Sequence, residues 1–106
     1  MKLPQSLANY FEAVNAGDGT AAAVLFADSA VVHDESGEHH GHTAIAAWVE
    51  ETAGKYQFQV TPLDTRLSEE HVIASCQVKG SFPGSPVLLD FDFTLSGNKI
   101  ASLFIR

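Results

Sequence analysis

The chain has 106 residues, of which 45% are hydrophobic and 18% charged, a composition typical of one globular domain. Six basic and thirteen acidic residues give a net charge of −7. A nucleic-acid or anionic-membrane partner would require a concentrated basic patch, so neither is expected. No stretch approaches the roughly 20 apolar residues of a membrane span. With a single cysteine, Cys76, and no signal-peptide pattern, we expect a soluble cytoplasmic domain over residues 1–106.

The first half of the chain carries the 3.6-residue hydrophobic spacing of helices. A first helix ending at Gly17 is predicted from apolar residues on one face: Leu3, Leu7, Tyr10, Phe11 and Val14. Asp18 is expected to cap a short second helix that reaches Phe26. Residues 29–34, SAVVHD, predict a short strand that is followed by a tight turn around Gly37. A third helix is predicted over residues 42–54.

The second half changes to the two-residue alternation of strands. Four strands are predicted from the segments KYQFQVTPLDTRL, HVIASCQVKG, VLLDFDFTL and KIASLFIR, with Pro- and Gly-containing turns between them. Three helices followed by antiparallel strands predict an α+β domain, in which the helices cover one face of a curved sheet.

Four of the five histidines lie in VVHDESGEHHGH, residues 31–42. A zinc site usually has ligands at a spacing that lets their side chains converge. Here His33 has the opposite strand parity to Asp34, and the helix dipole at the start of the third helix disfavours a cation beside His42. We therefore expect no metal. The alternative for this segment is a polar turn in which His40, or His39, borders a pocket.

Two stretches of the sequence resemble a known family. The first runs from NYFEAVNAGD through LFADSAVVHD to HGHTAIAAW, and the second is VKGSFPGSPVLLDFDFTLSGNKIASLFI. Both are similar to the nuclear transport factor 2-like superfamily and, within it, to SnoaL-like domain proteins. The resemblance implies a cone-shaped, curved antiparallel sheet wrapped around N-terminal helices, with an apolar pocket open at one end.

The resemblance also implies dimerisation, because such domains commonly pair through the outer face of the sheet. In this chain that face is expected to carry apolar residues, namely Leu88, Ile73 and either Ile100 or Phe104. Apolar side chains on both faces of a sheet are difficult to explain in a monomer.

The ketosteroid isomerases of this superfamily use an Asp base and an oxyanion hole formed by one Tyr and one protonated Asp. The resemblance places Asp34 at the base position and Tyr10 at the tyrosine position. The third position is occupied by Phe91. Asp90 and Asp92 have the opposite parity, and one of them would face the pocket only if the register shifted by one residue. Steroid isomerisation itself is therefore not expected. Burial is expected to raise the pKa of Asp34.

Two hypotheses about function stay open. The first is a cofactor-independent isomerase, cyclase or hydrolase that acts on a small apolar or aromatic molecule, with Asp34 as general base and Tyr10 as hydrogen-bond donor. The second is a non-catalytic dimeric domain that binds a ligand or serves as an accessory module. In both, the expected ligand-binding residues are Val14, Phe26, His40, Trp48, Phe58, Phe91 and Phe93.

Overall fold

A computed structural model describes residues 3–106 of the chain. Over these residues the elements are α1 (Gln5–Asn15), α2 (Gly19–Ala23), β1 (Phe26–Asp34), β2 (Gly37–His40), α3 (Gly41–Tyr56), β3 (Gln59–Ser68), β4 (His71–Lys79), β5 (Val87–Ser96) and β6 (Lys99–Ile105). All of these strands belong to one sheet in the order β2-β1-β6-β5-β4-β3. The predicted α+β class is confirmed.

One pairing in the sheet is parallel, between β1 and β6, whereas the other neighbouring strands are antiparallel. Hairpin reasoning predicted only antiparallel neighbours, because it considers strands that are adjacent in sequence. In the register Val32 lies opposite Leu103, and His33 lies opposite Phe104. The end of β1 and the end of the chain are therefore side by side, and this brings Asp34 close to the C-terminal residues.

The helices cover one face of the sheet, and the core between them is aromatic. Tyr10 and Phe11 of α1 meet Phe93 of β5 edge to face, with ring centroids 5.3 and 5.8 Å apart. The strand β4 alternates buried and partly exposed residues along its length, as a strand with one covered face should.

The region around β1 differs from the prediction in two ways. The helix α2 ends at Ala23, and Phe26 begins β1 because Ile100 and the Leu25 carbonyl are joined by a 2.9 Å backbone hydrogen bond that holds this segment on the sheet. The strand β2 was not predicted, since its sequence GEHH lacks alternating apolar residues. It forms because the turn after Asp34 directs the chain back along β1.

The outer face of the sheet carries part of the predicted apolar set. Leu88 is 72% exposed and Phe104 is 38% exposed, while Ile73 is partly buried. Ile100, in contrast, is 0% exposed and belongs to the core, which corrects the expectation for this residue. The reason is a bulge in β6, where the register with β5 shifts beside Ala101 and reverses the parity.

No helix within residues 3–106 is both long and apolar enough to cross a bilayer.

Candidate functional site

A cavity of about 740 Å³ lies between α1, α3 and the helix-covered face of the sheet. Its wall is largely apolar and aromatic, with contributions that include Val14, Trp48, Phe58, Phe82, Leu89 and Phe91. Acidic and hydroxyl side chains enter the lining where β1 ends, at Asp34, Glu35 and Ser36. A volume of this size and a mostly apolar lining with few polar groups are typical of small-molecule sites.

The carboxylate of Asp34 is held by four hydrogen bonds. Its Oδ1 atom accepts from the Ser36 backbone N–H at 3.0 Å and from the Ser36 hydroxyl at 2.7 Å, and it contacts Nε2 of His39 at 3.3 Å. Its Oδ2 atom accepts from the indole N–H of Trp48 at 2.7 Å. These contacts fix the carboxylate in one orientation at the edge of the cavity.

The protonation of Asp34 follows from these contacts. Burial by itself raises the pKa of the Asp34 carboxyl, but hydrogen bonds from Ser36, Trp48 and His39 outweigh burial, so the pKa lies below its ordinary value. Donors that satisfy the charged form stabilise it. The predicted rise in the pKa of Asp34 is therefore wrong, because that prediction counted the apolar surroundings and left out the hydrogen-bond donors.

Trp48 and His39 form a pair beside this carboxylate. Their rings stack with centroids 5.5 Å apart and an interplanar angle of 27°. The β1–β2 register places His39 opposite Val32, one hairpin turn away from Asp34. His39 and Trp48 also line a smaller groove of about 310 Å³ on the outer side of α3. Asp34 therefore lies between the cavity and this groove.

Tyr10 lies in the wall of the same cavity and is 1% exposed. Its ring is surrounded by Phe11, Phe26 and Phe93 at centroid distances of 5.3 to 5.8 Å. Burial raises the pKa of Tyr10 well above its ordinary value, and negative charge at Cys76 and Asp34 acts in the same direction. Its hydroxyl is therefore a neutral donor at every physiological pH.

The structure brings four of the seven predicted ligand-binding residues to the cavity: Val14, Trp48, Phe58 and Phe91. It places the other three elsewhere. Phe26 and Phe93 are fully buried in the core against Tyr10, because the aromatic cluster closes over them. His40 points to solvent and contacts Glu38 at 3.0 Å, because alternation along β2 turns its neighbour His39 toward Asp34 instead.

The two aspartates of β5 lie on the sheet face opposite the cavity-lining Phe91. Asp90 accepts from the Ser75 hydroxyl at 2.9 Å and contacts Arg66 at 3.4 Å. Asp92 contacts His71 at 3.0 Å and Arg106 at 3.2 Å. Neither is among the residues that line the cavity.

Sequence analysis missed several lining residues. Thr52 and Tyr56 lie on the same side of α3 as Trp48, four and eight residues after it, a spacing that helical periodicity could have revealed. Ser36 lies two residues after Asp34, the usual position of a donor in an Asx turn. Phe82 and Arg106 carry no such local signal, since a loop and the chain terminus bring them to the cavity.

The described residues 3–106 contain no group of three or more His, Cys, Asp or Glu side chains arranged for a metal ion.

Solved structures include several that are similar to this chain. A candidate polyketide cyclase from Sinorhizobium meliloti is 35% identical, with a TM-score of 0.93 over 98% of this chain and 95% of that one. A protein of ketosteroid isomerase-like fold from Catenulispora acidiphila, in complex with trimethylamine, is 20% identical, with a TM-score of 0.87 over 99% and 86% of the two chains. A Δ5-3-ketosteroid isomerase from a Mycobacterium species is 21% identical, with a TM-score of 0.80 over 96% and 89%.

Among curated proteins, none matches this chain. The model of the SnoaL-like domain family matches residues 7–101. The match covers most of the chain, and it agrees with the fold and with the similarity to the Sinorhizobium meliloti structure. The predicted family is therefore confirmed: this chain belongs to the SnoaL-like domain family.

Proposed function

We propose that the chain binds a small, largely apolar molecule in this cavity and that Asp34 moves a proton on it while Tyr10 donates a hydrogen bond. The observation that carries the proposal is that Asp34 and Tyr10, which belong to distant elements, line one cavity. An apolar wall would hold a flat substrate, and the two polar groups would act on a carbonyl compound.

In this mechanism the Oδ2 atom of Asp34 accepts a proton from a carbon next to the carbonyl group. The electrons of the broken C–H bond form an enolate, and the Tyr10 hydroxyl donates to its oxygen. Return of the proton from Asp34 to the same or a neighbouring carbon completes an isomerisation. The lowered pKa keeps Asp34 ionised, which is the form that accepts a proton. Entry of a substrate excludes water and makes the carboxylate more basic.

A second function, non-catalytic ligand binding, is favoured by one specific observation. Four hydrogen bonds lower the pKa of Asp34, and a weakly basic carboxylate is better suited to anchor a ligand than to remove a proton from carbon.

Deuterium exchange distinguishes the two functions. The probe is 2-tetralone, a flat aromatic ketone, in D₂O, and NMR follows the loss of its α-proton signals. Under the enzymatic proposal the wild-type protein accelerates exchange about 100-fold or more over Asp34→Asn, with Tyr10→Phe between them. If the wild-type protein exchanged the α-protons no faster than Asp34→Asn does, the catalytic proposal would be overturned. Line broadening of tetralone would then identify binding alone, and its absence would overturn both functions.

We also propose that two copies pair through the outer sheet face. Ile73, Asp92 and Phe104 lie in one row across three strands, and Leu88 projects from the same face. Sedimentation at micromolar concentration is expected to show a dimer that Leu88→Glu dissociates. A wild-type monomer would contradict this proposal.

The cytoplasmic location stays a prediction.

A further inference from the structure

The cavity has an excess of negative charge at the end where β1 stops. Asp34 and Glu35 both contribute to its lining. The cation that lines the cavity, Arg106, already contacts Asp92 at 3.2 Å, and its guanidinium lies 5.4 Å from the ring of Phe104. Its charge is therefore largely balanced by groups outside the cavity.

The carboxylate of Asp34 also has acceptor capacity left. A carboxylate offers about two lone-pair sites on each oxygen. Oδ1 is saturated, with contacts to the Ser36 backbone, the Ser36 hydroxyl and His39. Within residues 3–106, Oδ2 has one donor, Trp48. A second donor can therefore bind Oδ2, and Asp34 lines the cavity from which such a donor would come.

The other part of the cavity is aromatic. Tyr56, Phe58 and Phe82 pack against one another with centroids 5.1 to 6.1 Å apart, and all three line the cavity. Tyr56 follows Trp48 along α3 by about 12 Å at the rise of an α-helix. The acidic and the aromatic ends are thus separated by the length of a small molecule.

We propose that the cavity selects a ligand with a positively charged N–H group joined to a flat apolar group, the class of arylalkylammonium ions. The ammonium N–H donates to the free site on Oδ2 of Asp34, Glu35 adds attraction for the charge, and the ring lies against Tyr56, Phe58 and Phe82. This inference rests on the proposed small-molecule cavity. An ammonium group on the free site of Oδ2 occupies the position from which Asp34 would accept a proton, so this ligand class goes with the binding function and not with proton transfer from carbon.

Three probes of nearly equal size test the sign of the charge: 2-phenylethylamine, which is a cation at neutral pH, 2-phenylethanol, which is neutral, and phenylacetate, which is an anion. Affinity is measured by ligand-observed NMR or calorimetry at low salt. The amine is expected to bind about tenfold more tightly than the alcohol, and the anion more weakly than both. Added salt should weaken binding of the amine and leave binding of the alcohol unchanged.

Two variants test which acidic side chain causes the preference for the amine. Asp34→Asn should remove the preference of the amine over the alcohol while the alcohol still binds, and Glu35→Gln should reduce it by a smaller factor. The salt dependence of the wild-type protein provides a second measurement if Asp34→Asn fails to fold. Equal binding of amine and alcohol would overturn this inference and leave the proposed cavity intact. No binding of any probe would instead overturn the small-molecule cavity itself.

Discussion

The indole N–H of Trp48 donates a 2.7 Å hydrogen bond to Oδ2 of Asp34, the oxygen that has one donor among the contacts of this carboxylate. The two residues are joined across the helix–sheet interface, since Trp48 lies in α3 and Asp34 at the end of β1. Because His39 contacts Asp34 and stacks on Trp48, the three side chains form one unit. Trp48 therefore helps to orient the carboxylate, and together with Ser36 and His39 it lowers the pKa of Asp34.

Trp48→Phe should raise the pKa of Asp34. The change removes a donor that stabilises the charged carboxylate and retains an aromatic ring in the wall. The free energy of unfolding should fall by about 1.5–3 kcal/mol, the range for hydrogen bonds to charged groups. A carbon-13 NMR titration of the Asp34 carboxyl measures the shift. Phe58→Leu, which changes the wall without touching Asp34, is the matched control. An unchanged pKa in Trp48→Phe would show that this bond is not a cause of the shift.

Asp34 should stabilise the folded chain at neutral pH and lose this effect in acid. Its pKa is lower in the folded chain than the ordinary value of 3.8, which approximates the unfolded chain. Its contribution is therefore fully present above about pH 3.8 and is lost as the pH falls through the folded-state pKa. Urea unfolding of wild type and Asp34→Asn tests this: between about pH 6 and about pH 3 the difference in unfolding free energy should stay constant at first and then shrink once the pH falls below about 3.8. A constant difference over that range would contradict the prediction.

Tyr10→Phe should separate the role of the hydroxyl from the role of the ring. The ring packs on Phe11, Phe26 and Phe93, and Phe preserves that packing, so we expect a stability change within about 1 kcal/mol. Binding or turnover of a carbonyl probe should fall. Tyr10→Ala, in contrast, should cost about 3–5 kcal/mol because it leaves a cavity in the core. Thermal unfolding measures both variants. A large loss of stability in Tyr10→Phe would assign the hydroxyl a structural role.

The contact between α2 and α3 should be highly sensitive to one added methyl group. A Cβ at Gly19 would lie 2.2 Å from the Ala46 carbonyl oxygen, so Gly19→Ala should force the helices apart and destabilise the fold by about 1–3 kcal/mol. Gly54 is the matched control, since it lies within α3 and its Cβ would meet nothing within 4 Å. Gly54→Ala should stabilise by up to about 1 kcal/mol. Similar melting temperatures for the two variants would contradict the close approach.

Local pattern was enough to predict most of the elements, and the resemblance of two stretches to a known family predicted the family. The 3.6-residue spacing around Tyr10 and the alternation in VLLDFDFTL predicted α1 and β5, because helix and strand periods depend on near neighbours in the chain. The same alternation put Phe91 on one face and Asp90 and Asp92 on the other, as the structure has them.

Tertiary structure alone decided how the candidate site is assembled. The parallel pairing of β1 with β6 brings Arg106 to the cavity. The β1–β2 hairpin places His39, and not His40, beside Asp34, and the bulge in β6 buries Ile100. These outcomes depend on pairing between residues that are distant in sequence, which no local period encodes. The prediction of a raised pKa for Asp34 counted burial and omitted the donors. Ser36 is a local donor two residues away, whereas Trp48 reaches the carboxylate only when α3 packs beside β1.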